Sequence, residues 1–267
     1  MTLEYIREGQ GPALLLLHGV GGDAGNWSAV AARLRDRFTL IAPDLRGHGR
    51  SEPIRGPVDV HDLARDVGAV LDVAGIECCG VAGFSLGGVV AQALALDFPE
   101  RVARLAVIGT VCGRTADEQA RARERVDFLA RNGVAAIAEA NRARWFTDAF
   151  QAAHPDVVQA RVDQVRRSDP ESYLRAYTVF ATADFAERVH EIAAPMLVVT
   201  GEDDIAATPR MARLMQARAR AAELHLLAGL RHSVLIEAPA EVAALLRAFF
   251  GHGGRGHAGA AGLEPAQ

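Results

Sequence analysis

Six short apolar runs, at 13–17, 38–42, 78–82, 105–108, 196–199 and 224–227, alternate along this chain with helical periodicity at 27–37, 58–73, 86–98, 209–219 and 239–250. Runs of four or five apolar residues without polar alternation suit strands buried on both faces, and the helices between them supply the crossovers that parallel strands require. The pattern predicts an α/β fold: a mostly parallel central sheet with helices on both faces. The alternation stops after Ile108. From 114 to 190 helical periodicity continues without a convincing strand, which predicts a helical lid inserted into a core made of 1–113 and 191–250. The insertion carries 12 Arg and 12 acidic residues, a balance expected of solvated helix faces. Residues 251–267, rich in Gly and Ala and without periodicity, are expected to form a disordered tail.

The strongest local signal is Gly83-Phe84-Ser85-Leu86-Gly87, which follows the run ending at Ala82 and opens a helical pattern. Gly-x-Ser-x-Gly in a strand-to-helix context forms a sharp, strained turn that exposes the serine hydroxyl, and a Cβ at either glycine would meet neighbouring backbone. A hydroxyl is a weak nucleophile until a base takes its proton, and the base needs a carboxylate to hold its tautomer. On such an elbow the partners follow in the order serine, acid, histidine. The acid candidates are Asp203 and Asp204, at the end of the run 196–199. The base candidate is His232, in the loop before the helix opening at Pro239. His154 and His190 fall in the lid, His225 alternates within a strand, and His18 and His48 precede the serine.

A second loop, Leu17-His18-Gly19-Val20-Gly21-Gly22, also ends an apolar run. It resembles the His-Gly-Gly-Gly type of loop that offers a backbone N–H to an oxyanion. The N–H groups of Val20 and Leu86 are the expected pair of donors. Gly21 and Gly22 are expected to leave space for substrate.

Composition removes other chemistries. All 29 basic residues are Arg, so a lysine Schiff base and a phosphate-loop lysine are both impossible. A net charge of -4 speaks against nucleic acid as a partner, and no apolar run approaches a membrane span. Cys78, Cys79 and Cys112 have neither disulfide-framework nor zinc-site spacing. Cys78 and Cys79 are expected on a buried strand and Cys112 at the edge of a pocket. With no basic and apolar leader among the first residues, the expected compartment is the cytoplasm. Trp27 and Phe38 are expected to pack helix against sheet.

With these residues in place, the chain resembles the α/β-hydrolase fold family from about residue 3 to residue 250. It also carries Asp44-Leu45-Arg46-Gly47-His48-Gly49-Arg50-Ser51, a structural turn typical of the family's smaller esterases, lactonases and dehalogenases. Within the family it is similar to 3-oxoadipate enol-lactonases, through Arg144-Trp145-Phe146-Thr147-Asp148-Ala149-Phe150, Ser168-Asp169-Pro170-Glu171-Ser172-Tyr173 and Ala183-Asp184-Phe185. Two departures are the lack of a tryptophan in the first lid helix (117–131) and Leu230-Arg231 before His232, where small residues are usual.

The resemblance implies Asp204 as the acid, since the family takes the last residue of a Gly-x-x-Asp stretch. It also implies a small-molecule ester or lactone substrate bearing a carboxylate, held by Arg144 with Trp145 beside it, and no cofactor. The expected activity is that of a serine hydrolase opening an enol-lactone of the 3-oxoadipate type, and serine at position 85 speaks against a haloalkane dehalogenase, whose chemistry requires a carboxylate nucleophile there. The alternatives are a general carboxylesterase, a carbon–carbon bond hydrolase or a cofactor-free haloperoxidase on the same residues, or a non-catalytic receptor of the same fold. Oligomeric state is not specified by the sequence.

Overall fold

The computed structural model describes residues 3–251. Seven strands, β1 (Tyr5–Gly9), β2 (Ala13–Leu17), β3 (Thr39–Pro43), β4 (Cys79–Phe84), β5 (Val102–Ile108), β6 (Met196–Gly201) and β7 (Ala222–Leu227), form one sheet in the order β1-β3-β2-β4-β5-β6-β7. All neighbouring pairs are parallel except β1 with β3. The six expected apolar runs each fall on a strand, two of them starting one residue before it, at Phe38 and Cys78. β1 was not expected from the pattern because it pairs on one side only and its residues are exposed or half-buried, so it carries no apolar run. The Cys79 end of β4 is buried, but Cys78 lies outside the strand and is exposed, which corrects the expectation that both cysteines pack inside.

Alternate side chains of the strands enter two cores. Leu15, Leu17, Val81, Leu105, Val107 and Val198 face α2 (Val60–Val73), α3 (Leu86–Asp97) and α8 (Pro209–Arg218). Leu14, Leu16, Ala82, Ala106, Leu197 and Val199 face the other side, with Trp27, Phe38 and helix α10 (Pro239–Gly251). Each fully buried Leu or Val side chain stabilises this arrangement by about 1.5–3 kcal/mol relative to exposure. The expected helix over 27–37 is shorter: α1 spans Ser28–Ala31, and the chain then tightens through i to i+3 bonds, Arg33 N–H to Val30 O (3.0 Å) and Leu34 N–H to Ala31 O (2.9 Å).

Between β5 and β6 four helices cover the carboxyl ends of the strands: α4 (Ala116–Trp145), α5 (Asp148–Ala153), α6 (Pro155–Arg166) and α7 (Pro170–Thr182). Thr115 and Glu118 cap α4 reciprocally, and Gly133, at φ 79°, breaks it into two segments. Leu129, Val134, Ile137, Val162, Val165 and Tyr173 give these helices a core of their own. The short α9 (Val234–Glu237) precedes α10, whose last residue is Gly251. The rest of the expected disordered tail lies outside the described residues. Among the described residues, no helix is long and apolar enough to cross a membrane.

The strand order reverses direction between β2 and β4. In an open parallel sheet, the crevice at such a switch point, beyond the carboxyl ends of the strands, is where ligands bind. Leu17 of β2 pairs with Gly83 of β4, so the His18–Gly22 loop and Ser85 emerge side by side.

Candidate active site

Ser85 follows β4 directly and stands at φ 54° and ψ -114°, the one non-glycine residue with positive φ among those described. Its backbone is held on both sides: its N–H donates to Ile108 O at 2.9 Å, and its carbonyl accepts from Thr110 Oγ1 at 2.9 Å. The flanking glycines are sterically required. A Cβ on Gly83 would stand 2.2 Å from Gly87 O, and one on Gly87 would stand 2.2 Å from Leu17 O. The strain of the elbow is thus over-determined by strand pairing on one side and helix packing on the other.

His232 meets Ser85 from the opposite side of the crevice. The Ser85 hydroxyl donates to His232 Nε2 at 3.2 Å, and His232 Nδ1–H donates to Asp204 Oδ2 at 2.6 Å. The second oxygen of Asp204 accepts the N–H groups of Ala206 (2.7 Å) and Ala207 (3.0 Å), which fixes the carboxylate plane. Asp204 is buried while Asp203 is exposed. The two aspartates left open by residue pattern are therefore distinguished by geometry: the one in contact with His232 is Asp204. His154, His190 and His225 do not border the cavity over Ser85.

Val20 lines the same cavity as Ser85 and Leu86 follows Ser85 directly, and the backbone N–H groups of both make no hydrogen bond to any described residue. The carbonyl of the Gly19–Val20 peptide accepts from Gly22 N–H (3.1 Å) and from His18 Nδ1–H (2.8 Å). His18 Nε2 accepts the Leu45 N–H at 2.9 Å, so His18 must be the neutral tautomer with its proton on Nδ1. Burial supports that state by pushing its pKa down to about 4. The glycines of this loop serve a different purpose from the one expected. A Cβ on Gly21 would stand 2.6 Å from the Tyr173 ring and 3.0 Å from Val165, and one on Gly22 would stand 2.1 Å from Asn26 Oδ1. The space they leave is filled by the lid and by Asn26, not by substrate.

A cavity of about 60 Å³ lies over Ser85 and His232 and includes Asn141, Arg144, Trp145 and Arg161 in its walls. It shares Arg144, Tyr177, Phe180 and Ala206 with an outer cavity of about 310 Å³. Among the described residues the inner lining contains two arginines and no carboxylate. The Arg144 guanidinium forms no hydrogen bond or ion pair with any described residue, and burial, with Arg125 nearby, lowers its pKa from the usual value. Cys112 does not border this cavity. It is fully buried in the core beneath, and burial pushes its thiol up to about 12.

The model of the alpha/beta hydrolase fold matches residues 12–239. The chain belongs to this family. It is 32% identical over 208 residues to 3-oxoadipate enol-lactonase 2 of Acinetobacter baylyi, with 76% of each chain covered. The solved enol-lactonase from Burkholderia xenovorans matches with a TM-score of 0.83 and 28% identity, over 92% of this chain and 95% of that one. A malate-bound thermophilic esterase from Thermogutta terrifontis matches with a TM-score of 0.86 and 26% identity, over 94% and 93%.

Two arginines of this α/β-hydrolase are tied to the crevice in ways the residue pattern does not signal. Arg231, one of the departures noted above, donates to Ala143 O (2.9 Å), Phe146 O (2.8 Å) and Asp148 Oδ1 (2.9 Å), and so staples the joint between α4 and α5 to the His232 loop. Ser233 N–H adds a bond to Trp145 O at 2.9 Å. On the other side of the crevice Arg161, half-buried on α6, donates to Val20 O (3.0 Å) and Gly21 O (2.6 Å). Its 3.6-residue periodicity is that of any lid arginine, and only its reach across to the His18–Gly22 loop sets it apart.

Proposed function

We propose that this α/β-hydrolase is a serine hydrolase that opens a small, carboxylate-bearing lactone, an enol-lactone of the 3-oxoadipate type. The observation that carries the reading is the continuous line from Asp204 through His232 to Ser85, set beside two unengaged backbone N–H groups. Ser85 Oγ attacks the ring carbonyl carbon while His232 Nε2 takes its proton, and Asp204 stabilises the resulting imidazolium. The carbonyl oxygen becomes an oxyanion on the N–H groups of Val20 and Leu86, preorganised donors in a site shielded from water. Collapse breaks the ring C–O bond. The departing enolate takes the proton from His232 and tautomerises to a ketone. Water then attacks the acyl-enzyme with His232 as base, releasing a carboxylate and restoring the Ser85 hydroxyl.

The lining supports this substrate class. A carboxylate taken from water into this cavity needs a partner, and a guanidinium supplies two parallel hydrogen bonds. Arg144, at the boundary of the inner and outer cavities and with no side-chain partner among the described residues, is the residue assigned that role, with Trp145 beside it. The similarity to named enol-lactonases in sequence and in structure supports the same choice. The similarity to an esterase supports a second reading, a general carboxylesterase. Ring opening of 3-oxoadipate enol-lactone, compared with hydrolysis of neutral esters of similar size, separates the two. A preference for the carboxylated lactone supports the proposal, and a preference for the neutral ester favours the carboxylesterase.

A further inference from the structure

We propose that Arg161 is a positioning residue, a clamp on the lid that holds the His18–Gly22 loop with the Val20 N–H turned toward Ser85. The inference rests on the reading of Val20 as an oxyanion donor. It starts from an energetic oddity. A guanidinium withdrawn from water is costly unless hydrogen bonds and charge compensate it, yet Arg161, half-buried in the wall of the cavity over Ser85, forms no ion pair with a described carboxylate. Burial pulls its pKa down to about 10. What compensates the charge is the loop itself: Nη2–H to Val20 O at 3.0 Å, Nη1–H to Gly21 O at 2.6 Å, and the face of Trp145 at 5.0 Å.

The position of these bonds explains their consequence. The peptide that carries the Val20 N–H is held at its own carbonyl by His18 and Gly22, whereas the next two peptides, ending in the carbonyls of Val20 and Gly21, are held by Arg161. Gly21 stands at φ 64° and is followed by a second glycine, so the loop has little intrinsic stiffness. Arg161 is braced in turn. Its Nη1 also donates to Gln164 Oε1 (2.9 Å), and Gln164 bonds to both Asn26 (3.0 Å) and Asp23 (2.8 Å) at the end of the same loop. Seating of α6 on the core and orientation of the Val20 N–H are therefore one mechanical event.

The test uses the full-length protein with Arg161→Gln and Arg161→Lys, assayed on a neutral activated ester and on the carboxylated lactone, with a trifluoromethyl ketone as a probe that forms an oxyanion on serine. For Arg161→Gln the expected result is a fall in kcat of about 10- to 100-fold on both substrates with little change in KM, as for a misplaced oxyanion donor. Affinity for the ketone should fall by a similar factor. Arg161→Lys, which retains a cationic donor, should recover part of both losses, and it carries the test if the Gln variant does not fold. A rise in KM confined to the carboxylated lactone would make Arg161 a substrate anchor and overturn the proposal. Unchanged kcat on the neutral ester would overturn it too. Failure of the serine hydrolase reading shows separately, as absence of turnover and of ketone binding in the wild type.

Discussion

Asp204 divides its carboxylate between two tasks: Oδ2 accepts the His232 Nδ1–H at 2.6 Å, and Oδ1 is held by the backbone N–H groups of Ala206 and Ala207. The ring cannot rotate without losing the first bond, and the carboxylate cannot rotate without losing the others. Asp204→Asn should lower kcat by about 10⁴-fold, because an amide nitrogen facing Nδ1 favours the wrong tautomer. Asp203→Asn, at an exposed position, should leave kcat within a few-fold. Steady-state kinetics of the two variants on one ester check the assignment, and the opposite order would transfer the role to Asp203.

Ser85 should be the serine modified by a fluorophosphonate, read by peptide mass spectrometry of the labelled protein. Ser85→Ala and His232→Ala should each lower turnover by about four or more orders of magnitude, and the double variant should be little worse, since the two act as a unit. Additive losses would argue against a shared proton transfer.

Arg144→Ala should lower kcat/KM for a carboxylated enol-lactone by about one to two orders of magnitude, the equivalent of the roughly 1.5–3 kcal/mol of a charged hydrogen bond. A neutral ester should be almost unaffected. Parallel assays on the two substrates decide the point, and equal losses would remove the carboxylate-anchor role.

His18 and His48 make the fold sensitive to acid. Burial lowers their pKa values to about 4 and about 3, below the value of 6.5 for an unfolded chain. Below pH 6.5 the unfolded state binds protons that the folded state refuses, so stability present at neutral pH is lost as pH falls from about 6.5 toward 4. For His18 the loss approaches about 3 kcal/mol at the acid end. His48→Asn, which keeps a donor for the Arg46 carbonyl that His48 Nδ1 contacts at 3.1 Å, should flatten the dependence. Urea unfolding at pH 7 and pH 4.5 measures it, and an unchanged difference between the two pH values in the variant would contradict the assignment.

The parts of this protein that are legible in its sequence are those whose causes are local. Apolar runs mark the parallel strands, most continuously β2 and β6, where burial on both faces leaves little place for a polar side chain, whereas β7, at the sheet edge, admits Glu223 and His225. Ser85 is legible because a strained turn admits only glycine at its crowded neighbours, and chain order then narrows the partners to His232 and a pair of adjacent aspartates. Tertiary structure decided the rest. It separated Asp204 from Asp203 by burying one of two adjacent side chains, and it gave the space at Gly21 to Tyr173 and Val165. It also chose, from 12 lid arginines of similar local pattern, which one braces the loop beside Ser85 and which one lines the cavity with no side-chain partner among the described residues. A strand's burial or a turn's glycine is set by the nearest few residues, whereas the partner of a long, flexible guanidinium is set by whatever the fold brings within its reach, here a loop 141 residues away in the chain.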